Sequence, residues 1–215
     1  MKASKAVVLF AAAVGVMASV ARADWDVGDP YKMHWPQLPA DSGGSISTLV
    51  YADDWQCTES GPVTDVHFWT WTFSAGPLPA SCVFQVSIHD NIPVGPGGYS
   101  IPGDLLWEQD FLPGQYTIRP WGTYPFWQVN ITDIREPFIQ SHGEIYWLDL
   151  FAFDTPENVL WNTTYNPFMD SAVMWLDGEW IATGGNMAFV ITPEPATLCL
   201  VGLGVLGLVA RRRGK

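Results

Sequence analysis

The chain has 215 residues, with 22 acidic against 10 basic side chains and a formal net charge of −12 at pH 7. The basic residues gather at the two ends, so the stretch from Asp24 to Thr192 holds only Lys32, Arg119 and Arg135 against 21 acids, a net −18. A body that acidic repels polyanions, which argues against nucleic acid as a partner. The ordinary reading of such acidity is a solvated surface, and an attraction for divalent cations, calcium among them, is the alternative.

At the N-terminus, Lys2 and Lys5 form a positive region, Ala6 to Val20 an apolar one, and Ala21-Arg22-Ala23 an A-x-A cleavage signal. Residues 1–23 therefore read as a signal peptide, with an uncleaved anchor as the competing reading. Cleavage after Ala23 would leave Asp24 first, followed by about 169 residues, enough for one domain. The segment from Asp24 to Gly44 is acidic, carries prolines and is weakly periodic, so it reads as an arm lying over that domain.

No part of the body sustains a 3.6-residue period. Prolines and glycines, 17 and 20 in the whole chain, cut it into short runs that read as strands. In Asp65 to Phe73, Val66, Phe68, Thr70 and Thr72 fall on one face, and His67, Trp69, Trp71 and Phe73 on the other. Cys82 to His89 alternates more cleanly, with Cys82, Phe84, Val86 and Ile88 on a dry face and Gln85, Ser87 and His89 on a wet one. Residues 92–101, with two prolines and three glycines, read as a loop at a sandwich end. Trp127 to Ile131 and Met187 to Ile191 read as two further strands.

Ile145 to Phe153, apolar except for Asp149, reads as a central strand covered on both faces. Val173 to Ala182 carries a hairpin signal, because Asp177-Gly178 suits a two-residue type I′ turn. That register sets Leu176 opposite Glu179 and Trp175 opposite Trp180. The fold class expected is all-β, an antiparallel sandwich or jelly roll over 24–192, flanked by a signal helix and a short transmembrane helix.

All 12 tryptophans lie in the body, more than a core of this size readily absorbs. Trp69 and Trp71 are candidates for a sugar-stacking platform, with His67 or Asp65 supplying hydrogen bonds, although core packing is the favoured reading. Cys57 and Cys82 are a candidate disulfide, which would add roughly 3 kcal/mol; two separate buried thiols are the alternative. His67 and His89 would form a metal site only if the fold gathered them. Asp149 with Glu144 is the best carboxylate pair for a glycosidase, against a plain hydrogen-bonding role for Asp149. Asp53-Asp54 and Asp90-Asn91 have the oxygen-rich look of calcium loops without a recognised ligand spacing. No nucleophile elbow, zinc-protease motif or phosphate loop is present.

The chain closes with Pro193-Glu194-Pro195, an uncharged run from Ala196 to Ala210 that includes Cys199, and Arg211-Arg212-Arg213-Gly214-Lys215. Fifteen helical residues span about 22 Å, short of the roughly 30 Å bilayer core, and the arginines favour the cytoplasmic side. These three ordered elements resemble the PEP-CTERM sorting tail of Gram-negative bacteria. The resemblance implies that residues 193–215 hold an exported protein transiently in the inner membrane until an exosortase-type enzyme processes it. A permanent single-span anchor is the alternative.

A second resemblance lies in the body. Ala52-Asp53-Asp54-Trp55-Gln56-Cys57 and Gly61-Pro62-Val63-Thr64-Asp65-Val66-His67-Phe68-Trp69 look like the opening of an exported planctomycete-type family of unknown function. Ser87 to Asp90, Gly103 to Trp107, Ile145 to Asp149 and Phe168 to Val173 are similar to it as well. Thr70 departs from it, standing where a glycine is often found. The resemblance covers roughly residues 31–191 and implies a β-rich exported domain with no established activity. The expected function is a non-enzymatic protein of the cell surface or extracellular matrix, associated with exopolysaccharide. A carbohydrate-binding module is the alternative, and a glycoside hydrolase-like enzyme comes third.

Overall fold

The computed structural model describes residues 24–94, 98–122 and 125–192. The proposed signal peptide 1–23 and sorting tail 193–215, with Cys199, lie outside the described residues. Fourteen strands run in chain order: β1 (Pro39–Ser45), β2 (Tyr51–Gln56), β3 (Gly61–Pro62), β4 (Asp65–Thr72), β5 (Val83–Ile92), β6 (Ile101–Phe111) and β7 (Thr117–Trp121); then β8 (Phe126–Ile131), β9 (Ile139–Gln140), β10 (Ile145–Phe153), β11 (Val159–Thr164), β12 (Val173–Leu176), β13 (Glu179–Ala182) and β14 (Phe189–Thr192). Among the described residues there is no helix.

Two antiparallel six-stranded sheets make a sandwich. The first runs β1-β11-β4-β8-β7, with β14 also pairing β4, and the second runs β13-β12-β2-β10-β5-β6. A two-stranded ribbon of β3 and β9 stands apart. One edge of β4 is shared end to end, β14 taking residues 65–68 and β11 taking 70–72. The inward faces follow the period-2 rule. Phe68 of β4 meets Phe84 of β5 edge to face at 5.2 Å, and Val66, Val86, Ile88, Leu148 and Leu150 join the same buried cluster.

The central strand and the hairpin are as expected. β10 lies between β2 and β5. In the hairpin Leu176 pairs with Glu179 and Trp175 with Trp180, while Asp177 and Gly178 take φ of 53° and 89°, the positive values a type I′ turn needs. The two indoles pack at 5.1 Å and 65°.

Residues 24–38 form the expected arm, which closes one side of the sandwich, but residues 39–44, read as part of that arm, lie in β1 and pair with β11. Lys32 and Gln37 donate their amides to Ile191 and Phe189 of β14, and Met33 bridges to Cys57 just past β2. Upstream, Trp25 lies over the outer face of the first sheet, 6.0 Å from Trp69 in a T-shaped contact. Arg119, one of three cations in the body, fastens this end. It donates to Gln128 Oε1 at 2.5 Å, to Asp26 Oδ1 at 2.7 Å and to the Trp25 carbonyl, and it stacks over Trp121 at 5.4 Å.

Several strands escape sequence reading for local reasons. β1 reads PADSGGS because a Cβ on Gly43 would fall 2.4 Å from the Trp161 carbonyl, and one on Gly44 would fall 2.3 Å from the Tyr51 ring. β6 lies at the edge of its sheet and is exposed along much of its length, so its apolar residues do not alternate. Ile92 ends β5 and Ile101 begins β6, paired neighbours in one sheet, so the expected loop is described only at residues 93–94 and 98–100.

The packing makes a graded prediction. Phe68→Ala, in the sealed core, should cost about 3–5 kcal/mol. Trp175→Ala, 43% exposed, should cost no more than about 1.5 kcal/mol. Urea unfolding of both variants checks the ranking, and equal losses would contradict the layer assignment.

Candidate functional site

The proposed sugar platform is not an open surface. Asp65 and His67 are each 3% exposed and Trp69 is fully buried, because the arm roofs the outward face of β4. Trp69 sits between Trp25 and Trp121, and half-buried Trp71 lies against Phe73. His67 shares a 2.7 Å hydrogen bond with Asn130 and a 3.2 Å one with Thr192. Burial lowers its pKa to about 4, with the Asn130 bond offsetting part of that. Asp65 accepts from Thr64 Oγ1 and the Asp133 amide. These groups hold strands together, and a flat ligand cannot reach them.

The candidate disulfide is also corrected. Cys57 and Cys82 are both free and buried. Cys57 is level with Glu144, whose carbonyl takes its amide, whereas Cys82 precedes Val83, the partner of Phe153. The length of β10 therefore separates them, roughly 30 Å at about 3.3 Å per residue, against a reach of about 7 Å for a disulfide. Burial pushes both thiols up to about 12, so neither is primed for exchange. Alkylation under denaturing, non-reducing conditions should label both, and reductant should leave the melting temperature unchanged.

His67 and His89 lie on different sheets, on β4 and β5. Among the described residues no group of three His, Cys, Asp or Glu side chains is placed to hold a metal ion. His89 instead meets Asp149 at 2.7 Å on the outward face of the second sheet, with Gly103 O at 3.1 Å from its other nitrogen. Asp149 is thus tied to a histidine, while Glu144 precedes β10 and its carbonyl takes the Cys57 amide. Burial lowers the pKa of His89, but the bond to Asp149 and its charge outweigh that, and the net shift is upward from 6.5. The stabilisation from this pair is therefore complete below pH 6.5 and fades as pH rises through the raised value. His89→Gln should cost about 1–3 kcal/mol at pH 6 and less at pH 9, as read from paired urea titrations.

Two arrangements remain as candidate sites. The first is a cleft of about 540 Å³ between the arm and the segment after β11, lined by Trp25, Tyr31, Trp35, Leu38 and Pro167 among others. Tyr31 and Trp35 are 40% and 43% exposed. The Trp35 indole donates to the Asn166 carbonyl at 3.2 Å and lies edge-on to Phe168, which stacks on His34. Sequence reading missed this cleft because no periodic element carries it; its one visible signal is the aromatic content of the arm.

The second arrangement is the pair Asp53-Asp54. Antiparallel pairing sets Asp53 opposite Leu148 and Asp54 opposite Trp147, so the two point to opposite faces of the second sheet. Asp53 accepts from Gln37 Nε2 at 3.0 Å, Asn186 Nδ2 at 3.2 Å, and the Met187 and Asp54 amides at 2.7 and 3.1 Å. Burial and the charge of Asp54 raise its pKa well above 3.8, and the bonds from Met187, Gln37 and the Asp54 amide offset part of the rise. Asp54 is equally buried, yet neither carboxyl oxygen has a hydrogen-bond partner among the described residues. Burial and then the charge of Asp170 push it up to about 8.

Residues 33–198 match the family described as Domain of unknown function (DUF7901), and residues 192–213 match the PEP-CTERM protein-sorting motif. The body is therefore an all-β domain of a family of unknown function, joined to a sorting tail. The chain belongs to the DUF7901 family and carries the PEP-CTERM sorting motif, which implies export, a membrane-associated tail and an exosortase-type processing partner. No curated protein and no solved structure matches the chain.

Proposed function

We propose that this is a non-enzymatic protein of the cell surface or extracellular matrix, associated with exopolysaccharide, in which the sandwich serves as a structural unit. The observation that carries this reading is where the tryptophans and buried acids go. Trp25, Trp55, Trp69, Trp147 and Trp161 are buried, and only Trp35 and Trp175 are exposed. The indoles therefore act chiefly as packing bulk, Trp55 and Trp161 against Phe189 in the main core and Trp25, Trp69 and Trp147 on the outward faces of the sheets. Asp53 is saturated with donors and Asp149 is held by His89, which leaves neither free for the paired-carboxylate work of glycoside hydrolysis.

A second reading has its own support. The cleft beside the arm joins two exposed aromatic residues, Tyr31 and Trp35, to the polar residue Asn166, a mixture that sugar-binding surfaces use. In that reading Tyr31 and Trp35 replace Trp69 and Trp71 as the stacking residues. A glycan array with the wild type and a Trp35→Ala variant separates the two. The structural reading expects no glycan bound through the cleft; glycan binding lost by at least tenfold in the variant would establish the second. Mass spectrometry of the cell-associated protein addresses delivery. Processing should remove Arg211 to Lys215, and an intact basic end would contradict it.

A further inference from the structure

We propose that Asp54 and Asp170 form a binding site for a divalent, oxygen-preferring cation, calcium being the best fit. The argument begins with Asp54, which is fully buried on the outward face of β2. Its pairing partner Trp147, with Ala52, Val173, Ile101 and Trp180, forms a small apolar cluster on that face. Neither oxygen of Asp54 meets a donor among the described residues. A carboxylate in that position is costly. Protonation alone does not complete it, because the O–H would then need an acceptor and neither oxygen has a partner.

The second ligand comes from the segment before β12. Asn186 Nδ2 binds the carbonyls of Phe168 and Asp170 and the Asp53 carboxylate together, which fastens residues 168–170 alongside β2. Asp170 is half-buried, so the site has an approach from solvent. Its Oδ2 takes both the amide and the hydroxyl of Ser100, at 2.8 and 2.7 Å. Ser100 belongs to the β5–β6 connection, so three separate segments converge here.

Two carboxylates offer up to four oxygens, and neutral oxygens and water supply the rest of a calcium shell of six to eight. Irregular, partly bidentate coordination suits calcium better than magnesium, which demands a near-ideal octahedron. A net −18 body would also draw cations to its surface. The experiment must therefore separate a built site from general screening.

The test uses the full chain in detergent, stripped with chelator and titrated with calcium chloride or magnesium chloride at matched ionic strength. Saturable calcium binding at one ion per chain is expected by isothermal titration, with a melting-temperature rise of about 5 °C or more at 100 times the dissociation constant. Magnesium should give less than half of that rise. Asp54→Asn and, separately, the less buried Asp170→Asn should each reduce affinity by at least tenfold, while Asp104→Asn on the exposed part of β6 should leave it unchanged. Either of the first two suffices if the other does not fold. No calcium binding by the wild type, equal responses to both ions, or undiminished affinity in the folded Asp54 or Asp170 variant would overturn the site.

Discussion

The structure turns on a buried carboxylate that joins its two halves. Asp53 belongs to the second sheet, yet it takes the backbone amide of Met187, which bridges to Thr163 of the first. It also takes side-chain amides from Gln37 in the arm and from Asn186. One side chain thereby fixes the spacing of the sheets and the seating of the arm. Hydrophobic burial supplies most of the driving force for such a core, but it is non-directional. The directional bonds to Asp53 select this closure among others of similar apolar area.

Both candidate sites follow from that closure. The aromatic cleft exists because the arm is held against β14 and then passes over Trp69, fastened by Arg119. Beside Asp54's face, Ser100, which precedes Ile101 of the outer cluster, holds the Asp170 carboxylate, while Asn186, itself bound to Asp53, holds the carbonyls of Phe168 and Asp170. The sheets are a frame, and both candidate sites sit where connecting segments cross it. That arrangement is common where rigid scaffolds carry functional loops.

What the sequence made legible was local. The Val173 to Ala182 hairpin could be read to the residue because Asp-Gly fixes its register. The strand after Cys82 could be read because one of its faces is dry. The tail could be read because its three elements are ordered and contiguous. Contacts between distant segments could not be read that way. Cys57 and Cys82 looked bridgeable until β10 came between them; Trp69 is packed away, as the favoured reading had it, but that the arm does the covering could not be read. Asp54 and Asp149 show the same limit from the other side, since both are acids among apolar neighbours. Only the fold reveals that His89 answers one, while the carboxyl oxygens of the other have no hydrogen-bond partner among the described residues.

Amide hydrogen exchange on an Asp53→Asn variant tests this account most directly. The substitution keeps the shape but turns one acceptor into a donor facing other donors. Protection should fall at Lys32, Gln37 and Met187, while the β10 amides paired with β5 keep theirs. Unchanged protection at those three amides, or a uniform loss across both sheets, would contradict the claim that this carboxylate joins the arm to the sandwich.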